Sequence, residues 1–125
     1  MTVLDASALL ALLFREAGHE QVAAVLDGAC LSAVNLAEVL GRFARDGHDP
    51  DLLLRRLEAL PLEIVPFEAG QAARTARMLP TTQAAGLSLG DRACLALAAE
   101  RGVAVLTADR AWLQVDVGVA VRLLR

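Results

Sequence analysis

At 125 residues the chain has the size of one compact domain, large enough to bury a core without metal or disulfide staples, and residues 1–125 are expected to form a single unit. An apolar content of 56% and a mean hydropathy of +0.49 are high for a soluble protein, so exposed apolar surface that seeks a partner is expected. A net charge of -3 and an aromatic share of 3% with no tyrosine argue against a basic nucleic-acid stripe and a platform of stacked rings, and the 12 basic residues, all arginine, exclude a P-loop lysine, a Schiff base and a Ser-Lys dyad.

Residues 2–4 (TVL) are a short apolar run that stops at Asp5, and ASALLALLF then repeats apolar residues at helical spacing, which predicts a strand followed by a helix. That helix follows an acid, lacks a basic leader and ends at Arg15 and Glu16, so it does not read as a signal peptide. No uncharged run approaches a membrane span, and a cytoplasmic location is expected. Beyond Gly18 a helix over about 19–27 ends near Gly28, and ACLS (29–32) is a short strand. The next helix carries Leu36, Leu40 and Phe43 as a buried stripe and ends by Gly47. Asp49-Pro50 opens another helix, the acid as cap and the proline in the first turn. LEIVPF (62–67) is a strand closed by Pro66, a helix runs over about 68–78, and Pro80 to Gly86 form a turn-rich connection. A helix over about 89–101 stops at Gly102 and feeds VAVL (103–106), an apolar run typical of a central parallel strand; VAVRLL (119–124) is a last, edge-like strand.

Strands alternate with helices from end to end, which argues for an α/β fold with one parallel sheet and helices on both faces. Right-handed crossovers then set the start of each following helix at the carboxyl edge of the sheet, where open α/β folds hold their ligands. Cys30 and Cys94 have neither CxxC spacing nor a histidine cluster and read as buried, reduced thiols. His19 and His48 lie at helix boundaries and read as solvated.

Four acids fall at that edge: Asp5 after the first strand, Glu38 a turn into the helix after the second, Asp91 in the first turn of the helix over 89–101, and Asp109 after VAVL. Each has a local explanation. Asp5 and Asp109 cap helical turns, Ser88 and Asp91 have capping-box spacing, and Glu38 stands four residues before Arg42 in the favourable ion-pair order. Gathered at one edge, however, the carboxylates repel one another by roughly 3–4 kcal/mol per close pair, and a divalent cation is the natural compensation. Hard carboxylate oxygens without histidine or thiolate favour Mg²⁺ or Mn²⁺.

The blocks VLDASALLALL, SAVNLAEVLGR, GLSLGDRACLALA and VLTADRAW resemble, in order and spacing and over essentially the whole chain, those of the PIN domains, and among them the VapC-type toxins of bacterial toxin-antitoxin pairs. The family's acids fall on Asp5, Glu38, Asp91 and Asp109, and the small hydroxyl residues beside them on Ser7 and Thr107. The resemblance implies a three-layer α/β/α sandwich with a mostly parallel sheet. It also implies a metal-dependent endoribonuclease that leaves 5'-phosphate and 3'-hydroxyl ends, is usually a homodimer, and is inhibited by a cognate antitoxin. On this reading Asp5, Asp91 and Asp109 hold one or two Mg²⁺, Glu38 completes the shell or orients a water, and Ser7 and Thr107 support the acids. Arg92 and Arg110, ahead of Arg42 and Arg45, are the candidate contacts to RNA phosphate.

Two other readings stay open, a non-catalytic PIN-fold interaction module and a PIN nuclease of RNA processing that works without an antitoxin. A receiver domain and a haloacid-dehalogenase-like phosphatase both require a lysine that the chain lacks. Leu12, Leu13, Leu53 and Leu57 are candidates for either core or an exposed groove or dimer face.

Overall fold

The computed structural model describes residues Met1–Arg125. In chain order the elements are β1 (Thr2–Leu4), α1 (Ala6–Phe14), α2 (His19–Val25), β2 (Ala29–Ser32), α3 (Ala33–Arg45), α4 (Pro50–Glu58), β3 (Leu62–Val65), α5 (Ala69–Arg77), α6 (Leu79–Thr82), α7 (Leu89–Arg101), β4 (Ala104–Thr107) and β5 (Val121–Leu123). Short 3₁₀ turns occupy Gln83–Ala85 and Arg110–Gln114.

The five strands form one all-parallel sheet in the order β3-β2-β1-β4-β5. Period-two alternation divides its side chains between two cores. Leu4, Leu31 and Leu106 face α1, α2 and α4, where they meet Leu9, Val22, Leu53 and Leu57. Val3, Cys30 and Val105 face α7, where they meet Cys94, Leu95, Leu97 and Trp112. Helices on both faces make the three-layer α/β/α sandwich that the alternating pattern and the family resemblance together predict.

α7 is the innermost helix: every residue from Ala93 to Ala98 is buried, and it packs against β1, β2 and β4 as well as α3 and α5. A helix enclosed on all sides has to be apolar on all sides, which is why this stretch shows no amphipathic stripe. The alanines and Cys94 let it lie close to the sheet. Trp112, in the 3₁₀ turn after β4, is fully buried against the same core, and its indole Nε1 has no hydrogen-bond partner.

Because β1 is central and the chain runs outward through β2 and β3 before returning to β4 and β5, the direction of winding reverses at β1 and β4. The carboxyl ends of these two strands therefore flank the crevice where open α/β sheets bind ligands. Leu4 pairs in register with Leu106, which sets Asp5 beside Thr107.

Several local expectations give way to tertiary context. The Pro80–Gly86 stretch is not plain turn: Pro80 sits in the first turn of α6, where its missing N–H costs nothing. On α3 the fully buried positions are Asn35 and Val39, with Leu36, Leu40 and Phe43 half-buried beside them. Leu53 and Leu57 are core residues, while Phe14 and Leu52 are the exposed large apolar side chains of that region. The Glu38–Arg42 pair does not form, because Arg42 bonds Asp46 at 3.2 Å and lies over the Phe14 ring. Both cysteines are buried and free, and no helix is long and apolar enough to cross a membrane.

Candidate active site

Asp5 caps α1 with an extended backbone, its Oδ1 accepting the N–H of Ala8 at 2.8 Å and the hydroxyl of Ser7 at 2.7 Å. Its Oδ2 accepts the hydroxyl of Thr107 at 2.6 Å. Each hydroxyl that donates to Asp5 also accepts a backbone N–H from the segment just past β4: Ser7 Oγ from Ala108, and Thr107 Oγ1 from Asp109, both at 3.0 Å. Ser7 and Thr107 thus lace the ends of β1 and β4 together and aim one buried carboxylate. Asp5 is only 4% exposed, and burial, aided by the charge of Asp91, outweighs the bonds from Thr107, Ser7 and Ala8 that hold its carboxyl down, so that it is raised to about 6.

Asp91 completes a capping box at the start of α7. Its Oδ2 accepts the Ser88 N–H at 2.9 Å while Ser88 Oγ accepts the Asp91 N–H at 3.1 Å. Burial raises this carboxyl too, the Ser88 bonds oppose the rise, and the charge of Asp109 adds to it. Asp109 is exposed and caps the 3₁₀ turn through the Ala111 N–H at 2.9 Å. The local explanations and the shared location are both true: the acids are caps that stand at one edge.

Glu38 reaches the same edge from α3. Its Oε1 accepts Nδ2 of Asn35 at 2.8 Å, and that nitrogen also donates to the carbonyl of Gly90 at 3.0 Å, one residue before Asp91. Asn35 is 1% exposed and its Oδ1 is buried without a partner, an arrangement that costs about 1–3 kcal/mol. Asn35 and Gly90 were not among the sequence-derived site residues. The available signal was a polar side chain three residues before Glu38, on the helix face that otherwise reads as core.

Beneath the acids lies Cys94, whose thiol is held well above its ordinary range by burial, with Asp5, Asp91 and Glu38 adding to the rise. None of the molecule's ion pairs involves Asp5, Glu38, Asp91 or Asp109. Yet no three histidine, cysteine or acidic side chains stand close enough together to share one ion. The acids occupy one edge, each turned into its own hydrogen bonds. Their donor type, their charge and their lack of an internal counter-ion fit a hard divalent cation; the side chains do not converge as they lie.

The expected phosphate contacts are tethered elsewhere. Arg92 Nη1 donates to the Thr75 carbonyl on α5 at 3.1 Å, with its Nε buried and unpartnered, and Arg110 Nη1 donates to the Arg125 carbonyl at 3.1 Å. Arg45 joins Arg42 at Asp46. The largest surface cavity, about 410 Å³, opens beside Gln21, Val25, Arg122 and Leu123, and none of the four acids lines it.

No curated protein matches the chain. Among solved structures the fold is similar to a toxin-antitoxin complex from Klebsiella pneumoniae (TM-score 0.76, 19% identity, covering 100% of this chain and 98% of that chain). It is similar also to DNA-bound VapBC from Salmonella typhimurium (TM-score 0.74, 19% identity, 99% and 98% covered) and to FitAcB from Neisseria gonorrhoeae (TM-score 0.71, 26% identity, 99% and 98% covered). The PIN domain family model matches residues 2–118, nearly the whole chain. With the four acid-bearing blocks, the parallel sheet and this match in agreement, the chain belongs to the PIN domain family.

Proposed function

We propose that this protein is a Mg²⁺- or Mn²⁺-dependent endoribonuclease, acting as the toxin of a toxin-antitoxin pair, homodimeric and cytoplasmic. The observation that carries the reading is the set of carboxylates at the β1/β4 crevice, two of them with raised proton affinity, that no cationic side chain pairs. A fold spends stability on such an arrangement where an external cation is the missing partner. The similar complexes from Klebsiella pneumoniae, Salmonella typhimurium and Neisseria gonorrhoeae support an antitoxin partner.

On this reading Asp5, Asp91 and Asp109 hold the ion and Glu38 completes its shell, directly or through water. A bound Mg²⁺ supplies Lewis-acid stabilisation of the phosphoryl oxygens and lowers the pKa of water. The remaining work belongs to the chain. Ser7 and Thr107 orient the Asp5 carboxylate and favour its ionised form, which opposes the proton that burial would otherwise retain. Thr107 also fixes the backbone that presents Asp109. Ser88 restrains Asp91 through one oxygen and leaves the other free of protein partners. No histidine stands at the crevice, which agrees with direct hydrolysis by water rather than attack by the RNA's own 2'-hydroxyl.

One observation favours a second reading, a non-catalytic interaction module: no three acids stand within reach of one ion. Incubation of the purified protein with RNA in Mg²⁺, then with EDTA, beside Asp5→Asn, separates the two. The nuclease yields EDTA-sensitive fragments with 5'-phosphate and 3'-hydroxyl ends that Asp5→Asn does not produce. No metal-dependent cleavage selects the module, and 2',3'-cyclic phosphate ends overturn the hydrolytic scheme.

A further inference from the structure

We infer that Asn35 and Gly90 form a clamp that positions the Glu38 carboxylate against the start of α7 and so sets the spacing between Glu38 and Asp91. The inference rests on the metal reading above but concerns two residues that touch no reacting group.

Asn35 Nδ2 has two hydrogens and uses both, one on Glu38 Oε1 at 2.8 Å and one on the Gly90 carbonyl at 3.0 Å. Both partners are pure acceptors, so the amide has one tolerable orientation; turned over, it would set oxygen against oxygen. Its Oδ1 is consequently left buried without a partner, although leucine would fit such an interior position without any polar debt. The retained amide therefore serves what its nitrogen holds, and that nitrogen ties two elements 55 residues apart in the chain.

Gly90 supplies the other half. The Glu38 carboxylate lies so close over it that a Cβ there would stand 2.6 Å from both Cδ and Oε2 of Glu38. Gly90 has no positive-φ requirement and sits inside the first turn of a helix, where alanine is the better former. Its missing side chain is explained by the carboxylate packed on it.

The test uses Mn²⁺ as probe, titrated calorimetrically into the purified full-length chain, with thermal melts of the metal-free proteins alongside. Asn35→Leu removes both donors, Asn35→Ser keeps one, and Gly90→Ala pushes the carboxylate away while favouring the helix, so a folded variant is in hand even where Asn35→Leu fails to fold. Groups that orient a ligand typically change metal affinity by about 10–100-fold. Asn35→Leu and Gly90→Ala are expected to weaken Mn²⁺ binding within that range, Asn35→Ser less, and neither Asn35→Leu nor Gly90→Ala is expected to add to the loss in a Glu38→Gln background. Glu38→Gln weakening Mn²⁺ while the clamp variants bind it within about twofold of the parent would overturn the clamp and leave the metal reading intact. Additive losses in the Glu38→Gln background also overturn it, since the clamp acts only through Glu38. Mn²⁺ affinity unmoved by Glu38→Gln and Asp5→Asn alike overturns the metal reading and the clamp with it.

Discussion

At its C-terminal end α7 presents Arg101, whose guanidinium grips Glu63 on β3 through two bonds of 2.6 and 2.8 Å and also donates to the Cys30 sulfur at 3.1 Å. At its N-terminal end the same helix carries Asp91, raised above its usual range by burial, with Asp5 and Asp109 nearby and no cation paired to any of them. Arginine pulls Glu63 below the ordinary carboxylate range; at the other end burial and like charge push carboxyls above it. The two buried thiols register the same contrast. Both are raised by burial, but Arg101 opposes the rise at Cys30, while the charges of Asp5, Asp91 and Glu38 compound it at Cys94. The chain has arginines in supply and closes an ion pair where only structure is at stake. At the opposite end only the charge of Arg92 opposes the rise at Asp91 and no ion pair closes, which is the contrast on which the proposed metal reading rests.

The largest way to break this contrast is to neutralise the acid end. Asp5→Asn or Asp91→Asn is expected to lower RNA cleavage in Mg²⁺ by about 100-fold or more, the scale on which ligand and ligand-orienting groups act, whereas Glu63→Gln leaves the rate unchanged. Measured initial rates on one labelled RNA decide it; equal losses at the two ends would erase the distinction.

Stability without metal should move the other way. Asp5 titrates near 6 when folded against 3.8 as the ordinary value, so between those pH values the folded chain holds a proton that the unfolded chain has released, and stability falls as pH rises through that window. The penalty is fully present above pH 6 and amounts to about 3 kcal/mol by linkage. Asp5→Asn is therefore expected to melt higher than the parent at pH 7 in EDTA, with the gain vanishing below pH 4. Thr107→Val sharpens the point, because Thr107 holds the Asp5 carboxyl down. Its loss should push the Asp5 midpoint further up, measurable by carboxyl NMR, and cost about 1–3 kcal/mol through the unpaired Asp109 N–H and the lost bond. The smallest effect belongs to the closed end: Glu63 is half exposed, so Glu63→Gln should cost about 1 kcal/mol or less in denaturant melts.

The parts of the site readable in the sequence were those written in short-range chemistry. Capping geometry at Asp5, Asp91 and Asp109 depends on residues two or three positions away, and strand-helix alternation is enough to send all four acid-bearing segments to one edge. What escaped was decided by partners far along the chain. Asn35 and Gly90 meet only after folding, Arg92 and Arg110 are drawn to the carbonyls of Thr75 and Arg125, and Arg42 leaves Glu38 for Asp46 and the Phe14 ring. Composition misled at Pro80–Gly86, where proline reads as a breaker unless its place in a first turn is known.

Trp112 gives the molecule an optical gauge. With a single tryptophan and no tyrosine in the chain, intrinsic emission excited in the near ultraviolet comes from one indole, sealed from water only three positions beyond Asp109. If the proposed cation binds, rearrangement of the loop after β4 should register as a change in colour or intensity there, which would let binding be tested on unlabelled protein without RNA present.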